Sequence, residues 1–273
     1  MRVLTERHHK QYTKTQRTKE KRGQRDGVIV LLLGGQRDGV MVLLLASIYE
    51  GADEMRFEQE RKLVVEYGKK LITSGLTKGT GGNVSIYIPE EERMIITPSG
   101  MDYFSLKPED ILVMDLQGNV IEGDHKPSSE YGMHRIFYQK RTDIRAMVHV
   151  HSIYATTMAT LGWEIPAMHY LVAMGGGNNI PVAPYATFGT EELAENAYES
   201  MKERFAVLLS NHGLLTGGNT LDSAFSKAEE LEFCAEIYYR TKTIGEPRML
   251  SDEEMEKMVW RFGSYGQGGE EKL

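Results

Sequence analysis

A chain of 273 residues with a formal net charge of −7 is long enough to bury one substantial core. Its acidic balance argues against nucleic acid as a partner, because a phosphate backbone requires a basic face. At 41% hydrophobic and 26% charged residues it has the proportions of a soluble globular protein, and no apolar run approaches the ~20 residues that span a membrane.

The first 54 residues read apart from the rest. Positions 1–25 are rich in Lys and Arg and show neither a helical nor a strand period. A tandem repeat follows, Gly23–Gly34 and then Gly35–Ala46, too short and with too few copies for a solenoid. A secretory leader fits poorly, because the basic region is too long and Arg37 and Asp38 interrupt the apolar stretch. A hairpin of two strands would need a partner surface for its apolar faces. The reading adopted is a non-native or disordered extension, translated from sequence upstream of a start at Met55. A purine-rich stretch encoding Glu50-Gly51-Ala52 would lie where a ribosome-binding site belongs. Residues 55–273 then form one domain.

Within that domain Leu63, Val64, Tyr67 and Leu71 recur at helical spacing from Phe57 to Thr73, and Gly75 ends the run. Asn83–Ile88 and Met94–Thr97 read as two short strands joined by an acidic turn. Ile111–Asp115 and Val120–Glu122 read as a hairpin across Gly118-Asn119. Ser128 or Ser129 is placed to cap a helix running to about Lys140. Met147–His151 and Ala206–Ser210 are apolar strands, Thr190 caps a helix over Glu191–Arg204, and Leu221–Thr243 is a long helix. Cys234, the single cysteine, falls in an apolar stretch of that helix. It is expected in the core of a protein of a reducing compartment, the cytoplasm. Antiparallel strand pairs interspersed with helices suggest a three-layer α/β/α or an α+β domain.

The strongest local signal is Ala146-Met-Val-His149-Val-His151. Residues two apart on a strand point the same way, so both imidazoles share a face while Val148 and Val150 point into the core. Neutral imidazole is a common zinc ligand, although two hydrogen-bonded core histidines would give the same pattern. His212, at the end of the second apolar strand, adds a third imidazole, and Glu130 adds a carboxylate at a helix start. Three histidines leave a tetrahedral ion one open position, the mark of a catalytic site. Ligand chemistry alone also admits iron, manganese or cobalt. His8, His9, His125, His134 and His169 are expected at the surface or in packing.

Lys78-Gly-Thr-Gly-Gly-Asn83 is a flexible loop opening into a strand, where glycines let backbone N–H groups approach an anion. No helix follows, so it is neither a P-loop nor a dinucleotide fingerprint. Thr97-Pro-Ser-Gly100 is a second polar turn. Pro127-Ser-Ser-Glu130 offers hydroxyls and N–H groups at a helix N-terminus. Three such turns beside a catalytic-looking metal imply a small anionic substrate.

Gly81-Gly-Asn-Val-Ser85, Ile96-Thr-Pro-Ser-Gly100, Pro127-Ser-Ser-Glu130, His149-Val-His151 and Asn211-His-Gly213 together resemble the class II aldolase/adducin family, from about Met55 to Tyr265. Ile165–Tyr170 and Ile180–Thr190 are similar to the branch that cleaves L-fuculose 1-phosphate. The resemblance implies a three-layer α/β/α fold around a mainly antiparallel sheet. It implies a homotetramer with one Zn²⁺ per subunit and active sites between subunits, and cleavage to dihydroxyacetone phosphate and L-lactaldehyde. It places His149, His151 and His212 on the zinc, with Glu130 as the fourth ligand when no substrate is bound. It places Gly82, Asn83, Ser99, Gly100, Ser128 and Ser129 on the phosphate, and Tyr170, Phe188 and Tyr265 around the aldehyde end. The implied roles are a Lewis acid for the zinc, proton removal from the C4 hydroxyl for Tyr170, and proton return to C3 for Glu130.

Ser99 stands where Thr is more usual and Thr80-Gly81 where Thr-Ala is, both changes that keep polarity or small size. The rival within the fold is a ribulose-phosphate epimerase, which carries Asp where Glu130 stands. The rival of another class is a metal-free adducin-like binding module, against which the retained histidines and Glu130 argue.

Overall fold

The computed structural model describes residues 55–264 together with two short strands, β1 (Leu32–Leu33) and β2 (Leu43–Leu44). The chain divides into two compact units, Met1–Glu54 and Met55–Leu273. In the first, β1 and β2 pair antiparallel, with Leu32 opposite Leu44, the equivalent positions of the two repeat copies. The reading of this segment as translated upstream sequence otherwise falls on residues outside those described.

The second unit runs α1 (Glu58–Thr73), β3 (Asn83–Ile88), β4 (Arg93–Ile96), β5 (Leu112–Asp115), β6 (Val120–Glu122), α2 (Tyr131–Lys140) and β7 (Ala146–Val150). It continues with α3 (Ile153–Leu161), a 3₁₀ segment (Tyr170–Gly175), β8 (Val182–Ala183) and α4 (Glu191–Met201). It closes with β9 (Ala206–Leu209), β10 (Gly213–Gly218), α5 (Leu221–Ile244) and α6 (Asp252–Ser264). The strands form one sheet in the order β6-β5-β4-β3-β7-β10-β9-β8, antiparallel throughout except for the parallel pair β8–β9.

Both faces of the sheet are covered, which the apolar strand runs require. Along β9, Ala206 and Leu208 pack into one core with Val64, Leu71, Phe225 and Leu231, while Val207 and Leu209 pack into a second with Phe137, Leu193 and Ala194. The first core carries α1, α3, α5 and α6, the second α2 and α4. The result is the three-layer α/β/α arrangement implied by the resemblance.

Three differences from the sequence reading have physical causes. Helix α3 is rich in β-branched residues that disfavour helix, and it forms because α5 caps it from outside, as described below. Strand β10 is Gly-rich, yet it lies between β7 and β9 and is wholly buried, so sheet position overrides propensity. The cap of α2 is Glu130 rather than a serine. Ser128 is instead held to the preceding turn, its N–H donating to Thr97 O at 3.1 Å, and its Oγ accepts from the Glu130 N–H at 3.3 Å.

Candidate active site

Two strand ends and one helix start meet at the middle of the sheet. His149 is the penultimate residue of β7, flanked in the ladder by Asn83 of β3 and Leu215 of β10. His151 follows the end of β7, His212 sits in the β9–β10 turn, and Glu130 precedes α2. One ligand atom from each lies within 4.8 Å of the others, and among the described residues no other such cluster occurs. The β9–β10 turn is tight: Asn211 takes a left-handed φ of 55°, a conformation Asn tolerates. A Cβ on Gly213 would stand 2.3 Å from Val150 O. Glycine there lets β10 close against β7 at the ligand end.

The arrangement fits a divalent cation. His149 Nδ1 donates to Leu214 O at 3.0 Å, which leaves the Nε2 lone pair facing the cluster, as in metal-bound histidines held by an outer carbonyl. That Nε2 lies 2.9 Å from His151 Nε2 and 3.2 Å from Glu130 Oε2. Glu130 Oε1, 3.2 Å from His212 Nε2, is buried and accepts no hydrogen bond. Burial and the neighbouring imidazoles push His151 down to about 3 and His212 down to about 4. Burial alone would raise Glu130, but His149 and the other two imidazoles hold its carboxyl well below the usual carboxylate range. An ionised carboxylate beside the neutral imidazoles of His151 and His212 is a protonation state suited to ligation.

The cluster opens into a cavity of about 350 Å³. Gly82, Asn83, Ser99, Gly100, Ser128 and Ser129 all line it, with Phe188 at the rim. The second and third polar turns are stitched together: Ser99 N–H donates to Lys126 O at 2.9 Å, and Pro98 bridges Pro127. Tyr103, unremarked in the sequence, donates its hydroxyl to Gly82 O at 2.7 Å and pins the glycine loop. Asn83 Nδ2 donates to Glu130 Oε2 at 3.3 Å, linking the anion end to the ligand set.

Other expectations fall differently. Tyr170 does not line this cavity. It is 49% exposed at the start of the 3₁₀ segment, with its ring parallel to Phe262 and beside His169. Tyr265 lies outside the described residues, as do His8 and His9. Tyr185 and Asn211 line the cavity without having been assigned to it. Both stand within or beside the quoted motifs, so motif adjacency was the available signal.

The profile of the family described as "Class II Aldolase and Adducin N-terminal domain" matches residues 62–239. The chain is 56% identical over 213 residues to the 5-deoxy-D-ribulose 1-phosphate aldolase of Bacillus thuringiensis serovar kurstaki, spanning 78% of this chain and 100% of that protein. It is 43% identical over 193 residues to the L-fuculose phosphate aldolase of Escherichia coli K12, spanning 70% and 88% respectively. A solved L-fuculose 1-phosphate aldolase structure is 50% identical with a TM-score of 0.75, the match covering 78% of this chain and 100% of that one.

Proposed function

The chain belongs to the class II aldolase and adducin family and is a class II aldolase, and from that premise we propose that it cleaves a ketose 1-phosphate to dihydroxyacetone phosphate and a short aldehyde. The observation that carries the reading is the shared border of the two half-sites. Asn83 lines the anion-binding turns and donates to Glu130, a member of the metal cluster.

The proposed cofactor is one Zn²⁺ per subunit, held by His149, His151, His212 and Glu130. When bound, the ion supplies Lewis-acid stabilisation of the negative charge that develops on the substrate. The chain's own groups do the rest. Gly82, Asn83, Ser99, Gly100, Ser128 and Ser129 hold the phosphate and thereby fix the C3–C4 bond over the cluster. Glu130, displaced from the cluster when substrate binds, takes up a proton from solvent and delivers it to C3 in cleavage, and in condensation removes it as the carboxylate, using the oxygen that accepts no hydrogen bond within the chain. Tyr170 takes the proton of the C4 hydroxyl. Because Tyr170 stands away from its own chain's cavity, it serves the site of a neighbouring subunit in a homotetramer, with Tyr265 and Phe188 around the aldehyde end. A phosphorylated substrate and a buried free thiol at Cys234 fit a cytoplasmic enzyme.

For the aldehyde half, the relative of higher identity favours 5-deoxy-D-ribulose 1-phosphate, which yields acetaldehyde. L-fuculose 1-phosphate, the expectation from the resemblance, is the second reading and is supported by the solved structure. Cleavage of both by the zinc-loaded protein, followed through released dihydroxyacetone phosphate, ranks them. Epimerisation of L-ribulose 5-phosphate without cleavage of either ketose 1-phosphate would refute the proposal.

A further inference from the structure

The layer between the sheet and α2 is apolar, with Met94, Ile96, Met133, Phe137 and Met147 all buried. One polar seam runs through it. Asn83, Ser85 and Tyr87 stand at alternate positions of β3 and so share a face. Glu130, His134 and Tyr138 stand four residues apart at the start of and along α2 and form one stripe. The two rows meet rung by rung. Asn83 bonds Glu130 at 3.3 Å, Ser85 Oγ lies 2.7 Å from His134 Nδ1 and 2.6 Å from the Tyr138 hydroxyl, and the Tyr87 and Tyr138 rings stack at 5.0 Å. Ser85 and His134 are fully buried and Tyr138 is 4% exposed. Apolar residues of similar volume would fill this layer without desolvation cost, and an apolar contact tolerates sliding whereas a directional hydrogen bond does not.

We propose that Ser85, His134 and Tyr138 are positioning residues that set the axial register of α2 on β3, and so place the Glu130 carboxylate against the metal cluster. The proposal rests on the reading of Glu130 as a ligand and proton carrier. Glu130 is the N-cap of the helix, so a slip of α2 along its axis moves that carboxylate directly, while the three histidines, carried by the sheet and the β9–β10 turn, stay in place. Sub-ångström placement of such a group is what catalysis requires.

The test compares Ser85→Ala and Tyr138→Phe with Phe137→Leu, an apolar change on the same helix. Each full-length protein is loaded with cobalt(II), its visible absorption band and melting temperature are recorded, and cleavage of both ketose 1-phosphates is measured. In the two seam variants the band shifts and kcat falls about tenfold or more at nearly constant KM. In Phe137→Leu the melting temperature falls while the band and kcat stay at wild type. Seam variants that melt early but keep the wild-type band and kcat would overturn the proposal and leave the seam a stabilising feature only. A wild-type protein that binds cobalt and cleaves neither substrate would defeat the proposed reaction, while the band shifts would still decide the role of the seam.

Discussion

Ser152 Oγ donates a 2.6 Å hydrogen bond to Glu232 Oε2, tying the residue that follows His151 to the long helix α5. The same carboxylate accepts from the N–H groups of Tyr154 and Ala155, each at 2.8 Å. Ser152, the N-cap of α3, makes no side-chain cap bond of its own, so Glu232 caps that helix from another element.

Glu232→Gln removes the charge and one of the two acceptor oxygens. The expected loss is about 2–3 kcal/mol, read as a fall in melting temperature of about 5–10 °C for a domain of this size. An unchanged melting temperature would show that water can supply the cap.

Gly82 takes a φ of 73°, and a Cβ there would meet His149 O at 2.7 Å. Gly82→Ala is expected to cost about 1–3 kcal/mol. It should also lower kcat/KM more than stability alone explains, because the loop both borders the anion turns and touches the backbone of a ligand. Saturation kinetics beside a denaturant melt would separate the two, and wild-type kcat/KM would refute the assignment of this loop to the substrate.

The histidines and Glu130 are expected to part company on substitution. His212→Ala should lose metal and cleavage together. Glu130→Gln should retain the ion on three imidazoles and lose turnover by about 100-fold or more. Metal analysis of both proteins after gel filtration, with activity on the same samples, tests this. A Glu130 variant with normal turnover would remove it from the mechanism.

Chelation is expected to abolish cleavage and to lower the melting temperature, because an ion that binds only the folded chain stabilises it by mass action. Restored zinc should recover both. A melting temperature indifferent to chelator and zinc alike would argue that the cluster holds no metal.

Cys234 is fully buried, and burial followed by the charge of Glu230 pushes its thiol up to about 12. A thiol reagent should therefore label it at the rate of unfolding rather than at the rate of a free thiol. Fast stoichiometric labelling of the native protein would contradict the packing of α5.

The extent to which the molecule could be read in advance differs by element for definite reasons. Long amphipathic stretches such as Glu58–Thr73 and short apolar runs such as Ala146–Val150, buried throughout, announce themselves, as does Thr190, whose hydroxyl accepts from the Leu193 N–H at 3.2 Å. Strand β10 and helix α3 were illegible because what forms them lies elsewhere in the sequence: flanking strands for one, Glu232 for the other. The candidate cluster was readable from spacing at His149 and His151, with His212 and Glu130 joined to them by their settings and by family resemblance, and the four do converge. The pairing of Ser85 with His134 and Tyr138 was not, since nothing in a lone buried histidine names its partner.

The four donors are scattered between positions 130 and 212 and come together only where β7 is flanked by both β3 and β10. These are among the most non-local pairings of the sheet, the kind that form slowly. During synthesis a chain that has emerged only through α4 presents Glu130 and the His149–His151 pair without the third imidazole. With the proposed ligands, full-strength capture of an ion would mark the moment at which the centre of the sheet is complete, and its rate of appearance would clock that stage of folding.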